Sequence, residues 1–258
     1  MKTNKLKYKI YIFVILLLLV IVSKSYSQAS IRDSAISMHM IGAHYSMLWP
    51  GGDMADRFGK ANAVGLTYAY KLHSNFYGEL SYSYICGGDV KETNILDMIK
   101  TSSGNIIDHQ VLFNPIGMEL RGFACFMGAG KLFPVFGPNP NSGLFFSLHG
   151  GLLQHKIDFS FLSKNVPQLE GDYVKGYDRL TNGFAIKENI GFIRLSNNNL
   201  LNWTLGFEFI QAFTQSRRDW NIDTSQKDTK KRLDLLYGIN LQIRIPFYKR
   251  APQTYYYN

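Results

Sequence analysis

One stretch near the C-terminus, Leu233 to Ile245, restricts the fold more than any other. Every second residue is large and apolar: Leu233, Leu235, Tyr237, Ile239, Leu241, Ile243 and Ile245. Between them stand Asp234, Gly238, Asn240, Gln242 and Arg244, with Leu236 the exception. A strand sends alternate side chains to opposite faces, so this segment reads as a strand with one apolar and one polar face. It is longer than an ordinary globular strand. A wall whose apolar face meets lipid and whose polar face meets a lumen accounts for both properties.

The N-terminus places the chain in an exported compartment. Lys2, Lys5, Lys7 and Lys9 precede an unbroken apolar run from Ile10 to Val22, too short to span a bilayer comfortably as a helix. Ser25-Tyr26-Ser27 then offers a small-residue cleavage site, so residues 1–27 are expected to be a removed signal peptide, with an uncleaved anchor as the rival. No Cys follows the run, which argues against a lipoprotein signal. Removing that segment leaves 23 basic against 19 acidic residues, a balance of +4 in place of +9, and a nucleic-acid reading loses its main support. No later segment has the ~20 apolar residues of a membrane helix.

Eight strands are expected: about Met38–Trp49, Ala61–Leu72, Phe76–Cys86, Met118–Leu132, Gly143–His155, Gly183–Leu195, Leu201–Phe213 and Leu233–Ile245. Pro50-Gly51-Gly52 is expected to end the first, with a short polar loop to Lys60. Val90–Gly117, Lys156–Asn182 and Gln215–Arg232 are long connections, with a short helix near Asn94–Lys100. Pro134, Pro138 and Pro140 exclude a strand interior from Phe133–Ser142. Long and short connections alternate, which suits an all-β fold: an eight-stranded antiparallel up-and-down transmembrane β-barrel with long extracellular loops and periplasmic turns. Residues 28–248 form that barrel in this reading, and 249–258 a periplasmic tail ending in Tyr255-Tyr256-Tyr257.

An eight-stranded barrel is only wide enough inside for side chains, so a diffusion pore is not expected. The inward set contains Lys71, Glu79, Lys187, Glu208, Asp234 and Arg244 among Gly, Ser, Thr and Asn. Both signs are present, and unpaired buried charges are costly, so these residues are expected to form a salt-bridged lumen network. Tyr45, Trp49, Tyr84, Trp203 and Tyr237 face outward and suit the interfacial girdles.

The residues suggest little catalytic chemistry. Six His residues are scattered without metal-ligand spacing, although His149 and His155 share the inward face with His44. No Ser–His pair stands out for acyl transfer. Cys86 and Cys125 fall on adjacent strands, and two free, lipid-facing thiols are favoured over a disulfide. Gly171–Gly183, GDYVKGYDRLTNG, mixes charge, Tyr and Gly in an exposed loop. Loops on rigid scaffolds carry function more often than the wall, so Asp172, Tyr173, Lys175, Tyr177, Asp178 and Arg179 are the candidate contact residues.

At GKLFPVFGPNPNSG (Gly130 to Gly143), LQHKI (Leu153 to Ile157), GDYVKGYDRLTNG and the closing YKRAPQTYYYN, the chain resembles a family of small exported β-barrels from Bacteroidota. The resemblance covers the whole mature chain. It implies an outer-membrane protein that accompanies a larger secretion or barrel-assembly machine, and it carries over no catalytic residue. The expectation is therefore a non-enzymatic outer-membrane barrel, without cofactor or metal, that contacts membrane lipid and a protein partner as an accessory subunit. The long loops and the turn Phe133–Ser142 would supply its contacts. The alternatives are a rim-sited lipid-modifying enzyme and a soluble lipocalin-like barrel with a ligand cavity.

Overall fold

The computed structural model describes residues 31–102, 105–107, 113–114, 116–161, 166, 169, 171–197 and 201–248. The expected signal peptide, His109 and the C-terminal tail lie outside the described residues. The strands are β1 (Met38–Gly52), β2 (Ala61–Lys71), β3 (Phe76–Gly87), β4 (Ile106–Ile107), β5 (Phe113–Asn114), β6 (Ile116–Phe133), β7 (Gly143–Phe161), β8 (Thr181–Arg194), β9 (Trp203–Ser216) and β10 (Lys231–Phe247). Eight of them close into one barrel in the ring order β1-β10-β9-β8-β7-β6-β3-β2, and β4 and β5 pair with each other. Every pairing is antiparallel. β1 and β10 pair from His39↔Phe247 to Gly52↔Asp234, so the ring has no free edge.

The alternation that defines β10 in sequence sorts its side chains by solvent. Ile243 is 58% exposed and Leu241 50%, whereas Asn240 is 5% and Arg244 4%. The same division runs round the ring: Leu66, Leu80, Met127, Leu152, Ile190 and Phe207 face outward. So large and continuous an apolar outer surface is the wall of a barrel that sits in lipid. Tyr45, Tyr84 and Tyr237 stand outward as expected, with Trp49 and Trp203 half-buried beside them.

Several boundaries differ from the sequence expectation. Pro50, Gly51 and Gly52 continue β1 instead of ending it, and the turn comes at Gly52, whose φ of 59° suits glycine. The segment after it is not a solvated polar loop. It holds a short helix, α1 (Asp53–Arg57), with Met54, Arg57 and Phe58 buried. Strand β7 runs to Phe161, so the following connection is shorter than Lys156–Asn182. A 3-10 helix spans Thr93–Ile99, where the short helix was expected.

The interior is layered, and it is less polar than the sequence suggested. Met38, Met40, Tyr77, Leu132, Phe145 and Ile193 form an apolar cluster at the turn end. Leu48, Ile85, Leu153, Ala185, Ile210 and Leu236 form a larger cluster at the loop end. Between the two lies a belt of polar inward residues: His44 and Ser46 on β1, Glu79, Ser81 and Ser83 on β3, His149 on β7, and Lys187 and Asn189 on β8. Gly65 and Gly128 make room for this belt. A Cβ on Gly65 would lie 2.5 Å from His44 Cε1, and one on Gly128 2.7 Å from His149 Cδ2.

Candidate functional site: a buried polar belt and a closed loop crown

The structure brings together three of the six inward charges. Arg244 Nη2 donates to Glu79 Oε2 at 2.8 Å, and Arg244 Nε donates to Thr204 Oγ1 at 2.9 Å. Lys187 Nζ donates to Ser81 Oγ at 3.1 Å and lies 4.9 Å from the centre of the Phe126 ring. His149 Nε2 stands 3.7 Å from Glu79 Oε1, and His44 Nε2 is bonded to Ser83 Oγ at 2.9 Å. Glu208 lines the inner wall of β9, in register with Asn189 and Gly238.

Lys71 and Asp234 stand apart from that belt. Lys71 is at the turn end, where its Nζ donates to Asn141 Oδ1 at 2.9 Å and to the carbonyl of Ile36 at 3.1 Å. Asn141 in turn donates to the carbonyls of Ile31 and Ser34, so the proline-rich turn folds back and ties down the segment before β1. Asn139, Asn141 and Ser142 are therefore buried, and Val135 and Phe136 are the large apolar residues this turn exposes. Asp234 lies toward the loop end, bonded to His155 Nε2 at 2.9 Å and accepting from the Thr214 hydroxyl. Phe58 sits edge-on to the His155 ring at a centroid distance of 5.5 Å.

This arrangement can hold the wall together. The Thr214 hydroxyl donates to a carboxylate and not to His155, and His155 is fully buried beneath Phe58. A nucleophile needs a base within hydrogen-bond reach and a route for substrate. No group of His, Cys, Asp and Glu with metal-binding geometry occurs among the described residues. Cys86 and Cys125 are both free. They are four registers apart, Cys86 opposite Arg121 and Cys125 opposite Tyr82, a separation of roughly 13 Å along the strands.

The loops close the barrel mouth. Met54, Phe58, Ile95, Leu96, Ile106, Val166, Leu169 and Tyr177 come from the connections and pack onto the loop-end cluster. Ion pairs lock the connections to one another. Arg218 takes Asp178 with Nε to Oδ1 at 2.7 Å and a second bond from Nη2 to Oδ2. Arg179 Nε donates to Glu92 at 3.2 Å, and its Nη2 donates to Asp223. Arg57 Nε is 3.3 Å from Glu92 and its Nη2 3.6 Å from Asp228. Backbone bonds from Ile222 N to the Gly176 carbonyl and from Arg217 N to the Leu180 carbonyl zip two connections together.

The candidate contact segment therefore splits in two. Tyr177, Asp178 and Arg179 are buried and serve the crown from within. Asp172, Tyr173 and Lys175 are exposed, with Tyr173 at 67% and Asp172 paired to Lys175. That Lys175 bond, followed by its charge, holds the Asp172 carboxyl below the usual carboxylate range. Beside them is Trp220, 54% exposed, which the sequence reading missed. Tyr173 and Trp220 line a cleft of about 400 Å³ together with Lys175, Arg217, Arg218 and Ile222. The signal was available: a lone Trp in a charged loop has no core to fill.

One carboxylate lies on the opposite kind of surface. Turning Lys187 inward forces Glu188 outward, because neighbours alternate. Glu188 sits midway along β8 in a groove of about 400 Å³ with Phe146, Ile190, Phe207, Phe209 and Tyr237 in its wall. It has no ion-pair partner among the described residues.

No protein-family model matches the chain, and no curated protein matches its sequence. Solved structures do show a likeness. One is Neisserial surface protein A, with a TM-score of 0.49 and 9% identity over 81% of this chain and 97% of that one. Another is Ail, the attachment invasion locus protein of Yersinia pestis, in complex with the heparin analogue sucrose octasulfate, with a TM-score of 0.42 and 10% identity over 81% of this chain and 99% of that one. A third is the outer membrane protein OprG from Pseudomonas aeruginosa, with a TM-score of 0.33 and 13% identity over 84% and 99%. The identities are too low to transfer any residue or role, so the functional reading rests on the barrel's apolar outer wall, its sealed interior and its ion-paired crown.

Proposed function

We propose that the protein is a non-enzymatic outer-membrane barrel that presents its loop crown to a protein partner, as an accessory subunit of an outer-membrane complex. The observation that carries this reading is the exposed pair Tyr173 and Trp220 on a crown fixed from beneath by Asp178–Arg218 and Arg179–Asp223. Aromatic and Arg side chains on preorganised surfaces dominate the energy of protein interfaces. Two alternatives lose support. A soluble lipocalin-like barrel would not place Leu66, Met127 and Phe207 in water, and it would need a ligand cavity where this one has packed side chains. A lipid-modifying enzyme would need a reachable nucleophile and base.

Extraction of tagged protein in mild detergent tests the reading. A stoichiometric partner should co-purify, and the pair Tyr173→Ala, Trp220→Ala should release it while the barrel stays folded. A lone monomer under gentle extraction, or a partner indifferent to both substitutions, would count against it.

A further inference from the structure

Asn182 on β8, Gln215 on β9 and Lys231 on β10 form one row across the outer wall at the loop end, in the register Asn182↔Gln215↔Lys231. The next outward row is Phe184↔Phe213↔Leu233, whose members are 52%, 54% and 40% exposed. The two rows are two residues apart, roughly 7 Å along the strands. A polar line thus lies directly against an apolar one that faces lipid. Arg217 follows β9 and joins the polar row, its Nε donating to Asn182 Oδ1 at 2.5 Å. Arg217 and Lys231 border a single cleft of about 480 Å³ that Phe184, Phe213 and Leu233 also line.

Charge in this cleft is unbalanced. Asp53 lines it, but its Oδ1 accepts from Lys230 at 2.7 Å and its Oδ2 from the Leu233 amide at 2.8 Å. Arg232 lines it too and is bound to Asp228 at 2.6 Å. Arg217 and Lys231 are exposed, and neither has a carboxylate within ion-pair distance among the described residues. The outer wall treats its cations differently on β6 and β7, where Arg121 pairs with Glu119 and Lys156 with Asp158. Two uncompensated cations therefore stand over an apolar row. A lipid phosphate supplies the missing charge through charge-assisted bonds, and its acyl chains cover the row beneath. A free anion would leave that row unused.

We propose that this cleft seats one membrane lipid with a phosphorylated headgroup, the phosphate held by Arg217 and Lys231 and the chains laid on Phe184, Phe213 and Leu233. The assignment is independent of the partner reading. Lys231, Phe184, Phe213 and Leu233 do not line the aromatic cleft, although Arg217 lines both.

Native mass spectrometry of the folded full-length protein, released from neutral detergent with added dioleoyl phosphatidic acid, is the direct test. One retained phosphatidic acid is expected, about tenfold above dioleoyl phosphatidylcholine, whose choline offsets the phosphate charge. Retention should weaken as salt rises before release. Lys231→Gln should lower it by about fivefold, and Lys231→Gln with Arg217→Gln by about twentyfold. Phe213→Ala trims the apolar row without touching a charge and should lower it by about threefold. Lys131→Gln removes an exposed charge at the turn end and should change nothing. Equal retention of the two lipids, a loss shared by Lys131→Gln, or retention that ignores the Lys231→Gln, Arg217→Gln double change overturns the proposal. Displacement of the lipid by an equal concentration of inorganic phosphate would assign the two cations to a free anion and overturn the lipid assignment.

Discussion

Arg244 on β10 donates a 2.8 Å bond to Glu79 on β3, a strand three places away round the ring. The pair spans the lumen and is almost fully buried at both ends. Removing one partner would leave the other as an uncompensated charge between two apolar layers, at a cost of about 3–5 kcal/mol. Arg244→Met and Glu79→Gln are each expected to lower unfolding stability by about that much in urea titrations from lipid. The double change Glu79→Leu, Arg244→Leu should recover most of the loss, because the desolvation penalty goes with the charges. Additive losses in the double mutant would show that the two residues do not act as a pair.

The same belt makes a conduction prediction. Ions crossing the barrel would have to pass Phe145 and Leu132 at one end and Phe126, Leu153 and Leu236 at the other, all buried and in contact within their clusters. Loops close the mouth above them. Purified protein in planar bilayers should give no stable open steps. Reproducible ohmic channels from wild-type protein would mean that these clusters part in the membrane.

The barrel was legible in sequence because a strand's two faces meet different solvents along its whole length. Leu233 to Ile245 shows this most plainly, and β2 and β9 repeat it. Inward apolar residues blurred the picture. Phe126, Phe145 and Leu236 interrupt a polar face because the barrel is plugged there, and a two-letter alternation cannot distinguish a plug from noise. The crown was hidden for a different reason. Arg57, Glu92, Arg179, Asp223 and Asp228 come from four separate connections, and no local period links them. Their clue was a mismatch: Met54, Phe58, Ile95 and Leu96 are too apolar for solvated loops.

Glu188 follows from the alternation and has an energetic consequence. Lys187 and Asn189 must face the belt, so Glu188 faces lipid midway along β8 among Phe146, Ile190 and Phe207. A charge on a lipid-facing wall costs less for an acid than the ~2–4 kcal/mol of a base at the midplane. Glu188→Leu is therefore expected to raise stability in bilayers by about 1–2 kcal/mol, with no change in strand content. An unchanged or lowered stability would mean that Glu188 has a partner on the outer wall.

The crown should open in acid while the barrel stays closed. The Lys230 ammonium and the Leu233 amide hold the Asp53 carboxyl below its usual range. Burial alone would raise Asp228, but the Arg232 guanidinium, the Lys230 amide and the charge of Arg57 outweigh it and hold it low. A carboxylate held low in the folded state stabilises that state above its unfolded value, about 3.9, and the contribution is lost as pH falls through the lower folded value. Hydrogen exchange at residues 219–230, corrected for intrinsic rates, should thus be flat from neutral pH down to about 4 and should rise below it. The β1–β10 ladder, held by backbone bonds that do not titrate, should remain protected throughout. Loosening that begins near pH 6 would overturn this account.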